Sequence, residues 1–575
     1  MINKIEKILL YSQALHKGEL AKKIEYKLKD ITGYFYIRNK VQNKSKKCAL
    51  KFPNITFRGD FSSEQEKIIR IFDKKYEYKD ILKELSCEKQ FWRKCNISQY
   101  EEIKKVWEIN RLQFLLALAV QYNSKKDLPC KEEIINILSC WEKNNEFEKS
   151  INWSNNLEVA VRGINIALVL YLLNDTDANS KFSKLLYLHG VYLYNEINYS
   201  KKCIPNNHLL GEAIALLMLA NIVKTAETKK WEKRATKVLM KYNSIIQEDG
   251  MSKENSFSYH FFVIKMFILA LCFVKEEKLF KILNSKIIKS LEILKLTIID
   301  DGSIINYGDN DDGFLYTIDQ NYSISKDINR YYNYFFENKN DIETNIINEL
   351  NKFYNPSNKI IFSDNKDKNI FYNKNIFINK WNNNILFFNA KEIEGHAHND
   401  SLSVFLAING KKIFLDSGTY SYNIDKEKRK YYRGREAHST IQLKDEKTAI
   451  PVGSFRWKNI NQSKIVKIDE SENFIILLGT IENICSRKIT INKKNNKIII
   501  EDKVNDKNVF CNWFTEISNL QNECLIDENI KITFYNAESV SKNKVYISEK
   551  YLEEKEVILF KVKGKTNELK TIIEW

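Results

Sequence analysis

Residues 385–416 read ILFFNAKEIEGHAHNDSLSVFLAINGKKIFLD. Short apolar runs, ILFFN, SVFLAI and KKIFLD, stand between polar breaks, one of them the turn-forming pair Asn409-Gly410. Runs this short and rich in Ile, Val and Phe read as strands, bounded by turn residues. The same pattern extends in both directions. NIFINKW at 375–381 precedes it, and STIQLK at 439–444, NFIILLGTI at 473–481, KITIN at 488–492, KIIIEDKV at 497–504 and ITFYN at 532–536 follow. So many short strands in about two hundred residues predict an antiparallel β-sandwich over residues 361–575.

Upstream the period changes from two to 3.6. Helices are expected at 99–123, around WEINRLQFLLALAVQY, and at 156–173, 181–197, 207–223, 230–246, 256–274 and 278–298. The polar loops between them are of the length that joins antiparallel neighbours. Their faces are too apolar for a thin bundle, which predicts a ring of helical hairpins, an incomplete α/α toroid, over residues 1–300. Residues 301–360, with DDGSIINYGDNDDG at 300–313, read as a mixed bridge. The expected class is α+β and multidomain, helical ring first and sandwich second. A chain of 575 residues is long enough for two cores.

Composition narrows the function classes. Hydrophobic content of 43% with 29% charged residues is that of a soluble globular protein. The net charge of +17 would attract a polyanion, yet the Lys and Arg are spread along the chain with no basic arm. Nucleic acid is therefore not the expected partner, and charge alone does not choose between an anionic membrane and an acidic glycan. The ten cysteines have no CxxC spacing and read as reduced core residues. The first thirty residues carry early charges and no apolar leader, and the apolar stretch 261–274 is interrupted by Lys265. The expectation is a cytoplasmic protein without a transmembrane segment, with envelope association left open.

Histidine is scarce, seven in all, and five of the seven fall in three polar clusters. The first is PNNHLLGE at 205–212, opening an apolar helix. Asn206 or Asn207 can cap that helix or donate to an anion, and His208 and Glu212 stand at i,i+4, where a carboxylate can orient an imidazole. The second is DGMSKENSFSYH at 249–260, ending in Tyr259 and His260; the tyrosine is either a core aromatic or a proton carrier. The third gathers EGHAHND at 394–400, LDSG at 415–418 and REAHS at 435–439. Histidines and aspartates spread over three segments suit a first-row metal, most naturally Zn²⁺.

Several pieces occur together in order: WEINRLQFLLALA, NNLEVAVRGINIAL, NNHLLGE, DGMSKENSFSYH, GDNDDG, GHAHNDSLSVFLAINGKKIFLDSGTY and YYRGREAHSTIQL, over roughly residues 100–445. In these the chain resembles the heparinase II/III-like polysaccharide lyases, which include alginate and oligoalginate lyases. The resemblance implies an incomplete α/α toroid followed by an antiparallel β-sandwich. It implies that Asn207 and His208 neutralise a uronate carboxylate, that Tyr259 and His396 carry protons, and that Glu212, His260 and Arg433 stand at the substrate. It also implies a zinc held by His398, Asp416 and His438, joining the sandwich loops beside the toroid.

The reaction implied is β-elimination: removal of the C5 proton of a uronate and expulsion of the group at C4. A uronyl C5-epimerase shares the first step, since two proton carriers serve either outcome. A non-catalytic glycan-binding protein is the third reading, disfavoured because Asn207, His208, Tyr259 and His396 are all present. A cytoplasmic member would make or edit a cell-surface polysaccharide.

Overall fold

The computed structural model describes residues 15–42, 48–55, 68–71, 74–319, 322–363, 368–443, 449–458, 462–505, 508–521 and 523–575. Residues 1–14, where no leader was read, and the last residue of the 439–444 run lie outside these. The two-part architecture expected from the pattern is present: helices to Tyr354, then antiparallel sheets.

The expected helices form close to their predicted limits. Asn156–Leu173 is capped by the Asn155 side chain, which accepts from the Leu157 amide at 2.9 Å. It packs beside Thr176–Cys203 and Asn207–Ile222, which in turn lies against Thr228–Tyr242 and Phe257–Leu271. Asn156–Leu173 is long and apolar enough to cross a membrane, but 94% of it is buried inside the protein, as a core helix is.

One predicted helix is broken. Residues 99–123 form Ile103–Asn110 and Leu115–Lys125, with Leu112 at a φ of 58° between them. A left-handed leucine costs about 1–2 kcal/mol. The break is offset by what it places: Arg111 donates twice to Glu158, at 2.7 and 2.8 Å, and once to Glu108.

Residues 301–360 carry two helices, Ile324–Glu337 and Ile342–Tyr354, packed on Phe257–Leu271 and, for the first, on Glu277–Leu296. A buried ion cluster fixes them there. Lys265 Nζ donates to Asp327 at 2.6 Å, to Glu343 at 2.9 Å and to the Tyr316 carbonyl at 2.7 Å. The periodicity of this segment was masked by its many Asn and Tyr.

The first sheet takes Ile370–Tyr372, Ile376–Trp381, Asn384–Asn389, Ser403–Ile408 and Lys411–Phe414 in chain order. It is covered on both faces. Ile376, Ile378, Phe387 and Phe405 join the helical core, whereas Phe377, Leu386, Phe388 and Leu406 join the core of the second sheet. This double burial is why ILFFN and SVFLAI lack polar alternation. The second sheet has eight strands, from Ser463–Glu470 to Leu520–Gln521, and a three-stranded sheet adds Phe510–Thr515, Lys555–Gly564 and Ala537–Ile547. The described part of STIQLK, residues 439–443, forms no strand: among these Ile441 alone bridges, to Cys511, and its carbonyl is taken by the Arg435 side chain.

Candidate active site

A cleft of about 920 Å³ lies where the helical ring meets the first sheet, walled by Trp107, His208, Tyr259, His396, Tyr422 and Trp457 among others. Ser256 starts the helix Phe257–Leu271, its Oγ accepting from the Tyr259 amide at 3.2 Å and donating to the Asp309 carbonyl at 2.5 Å. One residue thus sets the Tyr259 ring and ties it to the 308–313 turn. The turn approaches closely because Gly308, at a φ of 66°, leaves no room for a Cβ: one would stand 2.0 Å from the Asn255 carbonyl oxygen.

Tyr259 lies face to face on His396, ring centroids 3.7 Å apart and 13° from parallel. Its hydroxyl is 3.0 Å from that of Tyr422. Burial, with the Asp311 and Asp309 carboxylates nearby, raises the Tyr259 phenol well above its ordinary pKa of 10, so it stays protonated.

Asp309 is buried and links four side chains, Thr419 donating to its Oδ1 at 3.4 Å. Its Oδ2 is 3.0 Å from His396 Nδ1, its Oδ1 is 3.0 Å from His398 Nε2, and Arg429 donates to both oxygens at 2.5 and 2.8 Å. Burial pushes this carboxyl up, but the Arg429 charge and the hydrogen bonds from the histidines outweigh it and hold it well below the carboxylate range. An ionised carboxylate only accepts, so His396 Nδ1 and His398 Nε2 must donate. In a neutral ring that fixes each tautomer; His396 Nε2 is the nitrogen turned away from Asp309, 3.7 Å from Glu254 Oε2.

His398, Asp416 and His438 each offer a ligand atom within 4.8 Å of the others. His398 Nδ1 and His438 Nε2 are buried without a partner. The opposite nitrogens bond to carboxylates, His398 Nε2 to Asp309 and His438 Nδ1 to Asp416 at 2.7 Å. Orphaned imidazole lone pairs beside an Asp, with a second carboxylate behind one ring, fit a divalent metal such as zinc.

The other expected residues are placed differently. His208 stands in the cleft wall, and burial and the neighbouring His396 and Arg111 push it down to about 4, against Glu158. Asn207 is fully buried: its backbone amide and Nδ2 donate to Glu254, at 2.9 and 3.2 Å, and the cleft is walled by its neighbour Asn206 and its partner Glu254 instead. Glu212 is not beside the His208 ring. It is buried against Asn156, whose Nδ2 is 3.4 Å away, and burial raises it to about 8. The i,i+4 spacing misleads here because the helix is buried all round; one turn inside, its face already belongs to the core.

His260 is buried too, and burial together with Lys391 lowers it to about 3, against a weak contact with the Gly250 backbone. It follows Tyr259 on the helix and so faces away from the cleft into the core. Arg433 is 1% exposed and also stands behind the cleft wall. It lies over the Trp457 ring at 4.2 Å, donates to the Gly453 carbonyl at 3.0 Å, and burial lowers it to about 9.

Asp309, Asp311, Glu254, Tyr422 and Arg429 carry much of this geometry and have no obvious mark in the sequence. The available signal was GDNDDG itself, carboxylates packed around a glycine in a loop that no helix or strand pattern claimed.

Residues 15–300 match the heparinase II/III N-terminus model and residues 386–508 the heparinase II/III-like C-terminal model. The structure is similar to heparan sulfate lyase HepC from Pedobacter heparinus, with a TM-score of 0.55 at 17% identity over 90% of this chain and 86% of that one. It is also similar to a heparinase III gene product, with a TM-score of 0.58 at 18% identity over 98% of this chain and 92% of that one. No curated protein matches the chain by sequence. Two matched models that together span most of the chain, over a toroid and sandwich with their cleft at the junction, show that this protein belongs to the heparinase II/III-like family.

Proposed function

We propose that the chain is a polysaccharide lyase that cleaves a uronate-containing glycan by β-elimination. The observation that carries this is the stack of Tyr259 on His396, with Asp309 on His396 Nδ1. His396 Nε2 is the base that takes the C5 proton, and Asp309 stabilises the imidazolium that forms. Tyr259, still protonated, donates to the C4 oxygen as its bond breaks, and Tyr422 holds the phenol in place. His208 and Asn206 donate to the uronate carboxylate, which takes charge as the C5–H bond breaks. Asn207 acts through Glu254.

The stack also favours elimination over epimerisation. An epimerase needs proton carriers on opposite faces of C5, with the sugar between them at van der Waals contact on each side, so about 7 Å apart. Rings whose centroids are 3.7 Å apart leave no such space. Carriers on one face suit removal of a proton and a leaving group from the same side of the C4–C5 bond.

Zinc, where bound, would be held by His398, Asp416 and His438 and would supply a structural tie between three loop segments. The test is incubation with a panel of uronate polymers in D₂O. A conjugated 4,5-unsaturated product absorbing in the ultraviolet is the expected result. Deuterium at C5 of uncleaved polymer would instead establish the epimerase.

A further inference from the structure

Among the described residues, the basic side chains behind the net charge of +17 are not concentrated in the cleft. Among its described lining residues are four Lys or Arg, and three of them are already paired. Lys104 Nζ lies 2.8 Å from Glu108 and 3.0 Å from Asp311; Arg111 is held by Glu158 and Glu108; Arg456 reaches across to Glu19 at 2.8 Å. Only Lys253, exposed on the wall, has no carboxylate partner among the described residues. Four carboxylates, Glu158, Glu254, Asp311 and Glu394, share the same wall.

The rest of the wall is suited to neutral sugar. The Trp107 ring forms part of the wall, its Nε1 buried without a hydrogen-bond partner. The exposed Phe455 and the half-buried Tyr242 give flat faces for pyranose rings. A sulfate ester placed here would meet carboxylates and cations that are already neutralised. Burying such a charge without a new counter-charge is costly, and sulfate cannot escape the cost by taking up a proton.

Granted the uronate-lyase reading, we infer that the cleft is built for an unsulfated, sparsely charged uronate glycan, with Lys253 as the cation that pairs with a sugar carboxylate. Polysulfated glycans meet the protein's outer positive charge but not a matching site. The inference concerns binding, so it stands or falls apart from the chemistry.

The experiment is calorimetry of the full chain with unsulfated chondroitin and heparosan tetrasaccharides, each beside its sulfated counterpart, at low and physiological salt. At least one unsulfated member is expected to bind, its sulfated counterpart no more tightly, and salt to weaken binding only by the share of one exposed ion pair. Lys253→Gln is expected to weaken that binding about tenfold, the loss of one charged hydrogen bond. Binding of a sulfated form more than tenfold tighter overturns the inference, as does no binding by either unsulfated form or an unchanged Lys253→Gln protein. Binding without cleavage leaves this inference standing and counts against the lyase reading. Cleavage restricted to sulfated forms does the reverse.

Discussion

The imidazole of His396 and the phenol of Tyr259 are stacked at 3.7 Å, one from the first sheet's loop and the other from a helix of the ring. The contact joins the two halves of the protein at the cleft. Tyr259→Phe keeps the stack and removes only the hydroxyl and its contact with Tyr422. The expected loss of stability is about 0.5–1.5 kcal/mol, while turnover should fall about 10²–10⁴-fold. Chemical denaturation and initial rates on the same preparation separate the two. A rate within a few-fold of wild type would exclude Tyr259 as the acid.

Asp309→Asn is expected to damage more than one function, because the same carboxylate holds His396, His398 and Arg429. Leaving the buried Arg429 without its counter-charge should cost about 3–5 kcal/mol. The sign with pH follows from its lowered pKa. The folded group titrates below the usual 3.8, so its contribution is complete at neutral pH and is lost as pH falls below 3.8 toward the folded value. Stability curves of wild type and Asp309→Asn should therefore converge on acidification; parallel curves would contradict this.

Glu212 has the opposite sign. Burial raises it to about 8, so folding favours its protonated form, and that contribution is complete below the ordinary 4.5 and is lost as pH rises through about 8. Glu212→Gln mimics the protonated form. Relative to the variant, wild type should lose stability between pH 4.5 and 8, as followed by thermal melts across that range. A constant difference would show that Glu212 is ionised in the fold.

Purified protein should contain close to one zinc per chain, and His438→Ala should remove it. The melting temperature should fall with the metal, since the three ligands come from separate segments, and a chelator should reproduce the fall in wild type. Equal stability of the chelated and untreated protein would refute a structural metal.

Glu19, in the helix Glu19–Ile31, and Arg456, in the hairpin 450–458, are paired across the edge of the cleft. A double-mutant cycle with Glu19→Gln and Arg456→Gln is expected to give a coupling of about 1 kcal/mol. The KM of Arg456→Gln should rise more than kcat falls, as the wall loosens without touching Tyr259 or His396. A coupling near zero would mean that the pair does not hold the helix to the sandwich.

The amino-acid sequence by itself determined the order of ring and sandwich, most helix limits, and the three clusters that meet at the cleft, because period, caps and turn residues act over a few neighbours. Asn206 before Asn207–Ile222 is such a local signal and was legible, its side chain accepting from the His208 amide at 3.1 Å. What each clustered residue touches was decided by the tertiary structure. His208 and Glu212 are one turn apart, yet one meets the cleft and the other Asn156 from a different helix. Asp309 reaches His396 and His398 across nearly ninety residues of chain, and Arg433 lies behind Trp457 rather than at the substrate. Such pairings arise when packing brings distant segments together and charges find the partners that repay their burial, a choice that no local spacing encodes.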